Sequence, residues 1–175
     1  MLPFFWATFL FVLAQRLLEL RLAKRNAARI RRLGGYEVGS SHYKFLVLLH
    51  GLFLFSLALE VHVGKGAALP VWWPFSFSLF LLAQFLRYWC IRTLGIRWNT
   101  RILVLPGSAP VKRGPYRLLR HPNYLVVAVE FLTLPLTFNA WLTALFFSLA
   151  NAWLLLRVRI PLEEQAVYRR GGESS

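Results

Sequence analysis

Two short stretches hold residue types able to bind and orient a charged ligand. The first, KRGPYRLLRHPNY, runs through residues 112–124 and sets cations, a Gly-Pro turn, two tyrosines and a His-Pro step between strongly apolar segments. Pro122 suits the first position of a helix. That places His121 at the N-cap, with Arg120 before it, and aims the free N–H groups and positive end of the helix outward. Such an end attracts an anionic group. His121 and Tyr124, three apart, face the same way and offer a polar edge and an aromatic wall. The same residues also suit a simple cap and an aromatic residue at a membrane boundary, and spacing alone leaves both readings open.

The second stretch carries Arg157, Arg159, Glu163 and Glu164. Arg159 and Glu163, four apart on a helix, make an ordinary exposed ion pair worth a few tenths of a kcal/mol. A carboxylate there can equally take an ammonium, and an arginine can grip a carboxylate with two parallel bonds. Pro161 fits the first position of a new helix over residues 162–170, because a proline deeper inside would break the hydrogen-bond ladder.

Composition says what kind of scaffold holds these stretches. Of 175 residues, 57% are hydrophobic and 16% aromatic, more than a soluble domain of this size carries. The chain reads as an all-α integral membrane protein. Five segments approach the roughly 17–25 residues of a helical crossing: residues 2–20, 43–63, 75–91, 123–138 and 140–156. The fourth is short, contains Pro135, and is followed after Asn139 by the fifth, which describes a tight helical hairpin. The first run has no cationic region ahead of it and no small-residue cleavage site after it, so a retained span is expected rather than a signal peptide.

Net charge is +14, yet the cations lie in the connections rather than on a soluble face, so membrane lipids and not nucleic acid are the expected partners. Residues 16–44 hold eight Lys or Arg, residues 87–120 eight and residues 157–170 four, against Lys65 alone in the connection after the second span. Five crossings then put the N-terminus outside and the C-terminus, with both polar stretches, in the cytoplasm. Cys90 is the single cysteine, which rules out a disulfide within the chain. No zinc or haem ligand spacing is present. Aspartate is absent, which removes Asp-rich magnesium sites and aspartyl phosphorylation.

Local patterns add detail. Leu20, Leu22, Ala23, Ala27, Ile30 and Leu33 recur at near-helical spacing among arginines, so the first helix extends past the membrane as a basic helix suited to anionic lipid until Gly34-Gly35 stops it. Residues 98–105 alternate and are β-rich, and with residues 111–113 after a Pro-Gly turn they describe a small β-hairpin-like loop. Glu130 within the fourth span needs a polar partner at membrane depth, and Arg87 or Gln84 in the third can supply it. His50 is a possible pocket residue on the second span. Glu60 and His62 near its outer end read as solvated. The aromatic-rich third span suits a lipid face or a dimer surface alike.

GPYRLLRHPNY at residues 114–124, with RIPLEEQAV at residues 159–167, resembles the C-terminal half of the isoprenylcysteine carboxyl methyltransferase family. The short five-helix form is similar to its bacterial branch, some members of which are associated with type III polyketide synthases and O-methylate alkylpyrones. The resemblance covers residues 97–170. It implies an S-adenosylmethionine site in a bacterial cell membrane, with His121 and Tyr124 in contact with the cofactor and the backbone around Lys112, Gly114, Pro115 and Tyr116 completing the pocket. It places Glu163 and Glu164 at the cofactor's amino-acid end and Arg159 near the methyl donor, orienting the acceptor's acidic group. Many members carry glycine after the motif tyrosine, where this chain has Leu125.

The division that follows is residues 1–96 as helices with a basic loop, residues 97–170 as the cofactor and catalytic region, and residues 171–175 as a tail. The implied activity is O-methylation of a lipophilic carboxylate or acidic enol. A carboxylate or acidic enol is already anionic near neutral pH, so alignment and desolvation dominate over base catalysis. Two other classes suit the residues: an NADPH-dependent membrane reductase, which shares the RHPxY element, and a non-catalytic adaptor with a basic cytoplasmic face.

Overall fold

A computed structural model describes residues 2–64 and 69–169. Lys65, Arg170 and the 171–175 tail lie outside the described residues. Among the described residues six α-helices and two short strands follow in order: α1 (Leu2–Arg32), β1 (Tyr36–Val38), α2 (Ser40–Val63), α3 (Trp73–Leu94), β2 (Ile102–Val104), α4 (Pro122–Thr137), α5 (Trp141–Leu154) and α6 (Ile160–Glu164). α1, α2, α3 and the run from Trp141 to Val167 are long and apolar enough to cross a membrane, and α4 is a shorter apolar helix. At 16 residues α4 is about 24 Å long, short of a bilayer's hydrocarbon core of about 30 Å.

α4 is the hub of the bundle. Val126, Val127, Glu130, Phe131, Thr133, Leu134 and Thr137 are all buried, so it has no wide lipid face and its neighbours pack around it. Phe131 stacks on Phe53 of α2 with centroids 4.1 Å apart, and the His50 ring meets Phe131 edge-on at 4.9 Å. His50 Nδ1 is 2.8 Å from the Leu46 carbonyl, so this histidine is a packing residue of the bundle interior. Glu130 does pair with Arg87 and Gln84 as the pattern required, and Arg16 of α1 joins them. A turn with Asn139 at φ 60° links α4 to α5.

Glu60 departs from its solvated reading. Its carboxylate accepts from the backbone N–H groups of Leu142 at 3.0 Å and Thr143 at 2.8 Å, capping α5 from another helix. The N–H groups of a first helical turn have no partner within their own helix, and a carboxylate at the positive end also opposes the dipole. Glu60→Ala should therefore lower stability by about 1 kcal/mol, readable as a lower melting temperature in detergent.

α1 runs on past the bundle to Arg32, and the Gly35 N–H reaches back to the Ile30 carbonyl at 2.9 Å, the expected stop. Its small-residue face is covered by protein. Ala23, Asn26, Ala27 and Ile30 are buried, Asn26 Nδ2 donates to the Gly95 and Trp98 carbonyls at 3.1 and 2.8 Å, and Asn99 Nδ2 donates to the Ala23 carbonyl at 2.8 Å. The cationic extension thus carries the segment that follows α3.

The small β element is present, with a different partner from the expected one. β2 pairs antiparallel with β1, Tyr36 opposite Val104 and Val38 opposite Ile102, and residues 111–113 take no part in the sheet. The α1 extension holds residues 36–38 beside β2, and the Arg31–Glu37 and Glu37–Arg101 ion pairs at 2.8 and 2.7 Å tie them together. A local turn had less to offer than this prebuilt edge.

The end of the chain also differs. Pro161 does stand in the first turn of a helix, α6, but α6 is shorter than expected and joins α5 without a break through a π turn at Leu155–Arg159, where the Ile160 N–H bonds the Leu155 carbonyl five residues back. The wider turn lets a residue without an N–H sit in a continuing helix, since bonding is already out of the α register.

Candidate functional site

The two polar stretches meet at one end of the bundle. His121 is the N-cap of α4, with Pro122 in its first turn, and the His121 and Tyr124 rings stack 5.3 Å apart at 14°. The positive end of α4 meets the chain's own carboxylates: His121 Nε2 lies 3.4 Å from Glu164 Oε1 and its Nδ1 4.0 Å from Glu163 Oε1. Arg120 adds a pair to Glu164 at 3.7 Å. The groups expected to attract an anion are thus arranged about two glutamates, and the wall they form together suits the cationic part of a ligand.

Arg159 and Glu163 do not form the simple pair their spacing suggested. The Tyr124 hydroxyl stands between them, donating to Glu163 Oε2 and accepting from Arg159 Nε at 2.9 Å. Arg159 is buried, and its remaining nitrogens engage the Thr100 carbonyl at 2.8 Å and His42 Nε2 at 3.3 Å.

A cavity of about 650 Å³ opens beside this network, lined by Tyr116, His121, Tyr124, Arg159 and Glu163 and by residues of the segment from Trp98 to Val111. Its size falls within the range of small-molecule sites, roughly 300–1,000 Å³. The lining mixes charges, Glu163 with Arg97, Arg101 and Arg159, a set that can meet both charges of a zwitterionic ligand. Asn123 lines it too, and its Oδ1 is buried without a hydrogen-bond partner among the described residues. A ligand N–H or O–H would satisfy that acceptor. The Tyr116 phenol is pushed far up by burial and by Cys90 beside it, which keeps it a neutral hydrogen-bond donor.

Lys112, Gly114 and Pro115 stand apart from this cavity. Lys112 is exposed and lines a second, open hollow with Arg97 and residues 109–113. Gly114 has φ 54°, and a Cβ on it would lie 2.6 Å from Thr93 Oγ1 and 3.1 Å from Trp89 Nε1, so it seats the turn on α3 and lets Tyr116 reach the cavity. Gly114→Ala should lower stability by about 1–2 kcal/mol through backbone strain and collision, measured by thermal unfolding. Glu164 joins the site through His121. Arg97, Arg101, Asn123 and His42 were not legible as site residues. Asn123 alone had a signal, since it lies inside the HPNY step.

Membrane-length helices around a short central one, with a cavity of mixed polar and apolar lining at one end, define an integral membrane protein with a candidate ligand site at the end of its bundle. The model of the isoprenylcysteine carboxyl methyltransferase family matches residues 76–169, more than half of the chain, and the chain belongs to this family of membrane methyltransferases. It is 40% identical over 163 residues to the uncharacterized protein YpbQ of Bacillus subtilis, covering 93% of this chain and 96% of that one. An uncharacterized protein of Haemophilus influenzae is 26% identical over 161 residues, 91% of this chain and 92% of its own. No solved structure matches.

Proposed function

We propose that the protein is an S-adenosylmethionine-dependent O-methyltransferase that acts on a lipophilic carboxylate or acidic enol, an isoprenylcysteine-like or alkylpyrone-like acceptor. The observation that carries this reading is the Tyr124 hydroxyl bridging Arg159 and Glu163 at the edge of a mixed-charge cavity. The cofactor, when bound, would supply a sulfonium methyl group for transfer to an oxygen anion, with the C–S bond breaking and the neutral thioether leaving. Glu163 and Glu164 offer carboxylates to its ammonium, and the stacked His121 and Tyr124 rings offer an aromatic wall. Arg159, buried and held at three nitrogens, orients the acceptor's acidic oxygen.

No general base is needed, because the acceptor is already an anion; holding the reacting atoms in line supplies the acceleration, roughly 7–11 kcal/mol in well-oriented cases. With cations gathered in the connections at this end, the positive-inside rule supports a cytoplasmic site in a bacterial cell membrane with the N-terminus outside. A lipid-tailed acceptor then reaches the cavity sideways between helices. Association with a polyketide synthase would supply an alkylpyrone acceptor.

The test is calorimetric titration of the purified protein with S-adenosylmethionine and with NADPH, beside transfer of labelled methyl to N-acetyl-S-farnesylcysteine and to a long-chain alkylpyrone. S-adenosylmethionine binding with methyl uptake is the expected result. NADPH binding without uptake would replace the reading with a reductase, and binding of neither with an adaptor.

A further inference from the structure

Arg159 is gripped by three elements. Its Nε donates to Tyr124 on α4, its Nη2 to the Thr100 carbonyl ahead of β2, and its Nη1 lies 3.3 Å from His42 Nε2 at the start of α2. Arginine has only donors, so His42 Nε2 accepts and the imidazole carries its proton on Nδ1. That Nδ1 is buried and finds no hydrogen-bond partner among the described residues. A buried unpaired N–H is costly, and an apolar side chain would fill the same space without that cost. What the imidazole adds is an acceptor for Arg159.

The surroundings fix the ring. Gly39, the N-cap of α2, has φ 65°, and a Cβ there would come 2.4 Å from His42 Cε1, so glycine alone lets the ring fold back over its own helix end. Next to it, Tyr43 shares a hydrogen bond with Thr100 Oγ1 at 3.0 Å, and the Arg101 guanidinium lies 4.1 Å from the Tyr43 ring centroid. The start of α2 is thereby docked on the same segment whose carbonyl holds Arg159.

We infer that His42 is a positioning residue for Arg159: it holds the guanidinium so that its two remaining Nη hydrogens stay aligned for the acceptor's acidic oxygen. The site then draws on α2, which lies before the family-matched region of residues 76–169. The kinetic half of this inference rests on the proposed methyl transfer.

The experiment compares His42→Phe, which keeps a ring and removes both nitrogens, with His42→Gln, whose amide oxygen can accept in place of Nε2. His42→Leu stands in if the phenylalanine variant does not accumulate in membranes. His42→Phe is expected to lower kcat for methyl transfer to N-acetyl-S-farnesylcysteine by roughly 10- to 100-fold, the scale of a small misplacement. Its Kd for S-adenosylmethionine should stay within about twofold of wild type, and His42→Gln should recover most of the rate. A second readout needs no activity: labelling of Arg159 by phenylglyoxal, followed by mass spectrometry, should quicken in His42→Phe and stay at the wild-type rate in His42→Gln. Wild-type kcat and wild-type labelling in His42→Phe would overturn the inference, as would a glutamine variant as defective as the phenylalanine one. If the wild-type protein methylates neither this acceptor nor the alkylpyrone, the proposed reaction falls and the labelling comparison alone decides His42.

Discussion

Glu130→Leu is expected to destabilise the protein by about 3–5 kcal/mol, the cost of leaving a buried charge without its partner. Glu130 and Arg87 are among the most deeply buried side chains, 1% and 2% exposed, and lie within the apolar helices. Glu130 bonds both Arg16 and Arg87, while Glu19 takes Arg16 at 2.6 Å and Arg87 at 3.4 Å. Gln15 closes the ring, donating to Glu19 at 3.0 Å and Gln84 at 2.9 Å. Two arginines and two glutamates balance, and removing Glu130 leaves two guanidinium groups to share one carboxylate away from water. The double variant Arg87→Leu with Glu130→Leu removes one charge of each sign and should recover most of the loss. Melting in detergent and yield in membranes check both, and a Glu130→Leu protein as stable as wild type would show that the cluster holds nothing together.

Arg159→Ala is expected to cut methyl transfer by about 10²–10³-fold in kcat, the range for losing one charged or hydrogen-bonding group at a developing charge. S-adenosylmethionine should still bind, because Glu163 and Glu164 remain. Arg159→Lys should recover little, since a single ammonium cannot reach Tyr124, Thr100 and His42 together as a planar guanidinium does. Glu163→Gln should act on the other side of the Tyr124 bridge, weakening S-adenosylmethionine binding more than it slows the bound complex. Labelled methyl transfer and calorimetry on the same preparations separate the two effects, and full transfer by Arg159→Ala would sink the assignment of Arg159 to the acceptor.

Much of this was legible in local pattern. Apolar length marked the spans, His-Pro marked the start of α4, Gly34-Gly35 the end of α1, and the oddity of a carboxylate in an apolar run pointed to Arg87 or Gln84 as its partner. Each is a rule about neighbours in sequence or about what hydrocarbon forbids, so a linear reading reaches it. Glu60 shows where such rules stop: its ligands are backbone N–H groups more than eighty positions on, and nothing near it announces them.

The sequence by itself determined an all-α membrane chain, the one-sided cations, and two polar blocks whose types and order resemble the methyltransferase family. Only the tertiary structure decided how those blocks meet. It placed Tyr124 between Arg159 and Glu163, turned the run through Pro161 with a π turn, paired β2 with β1, moved Lys112 away from the cavity and brought His42 to Arg159. The physical reason is that helical period and capping act over a few residues, whereas these contacts depend on which faces of distant helices are pressed together when α4 is enclosed.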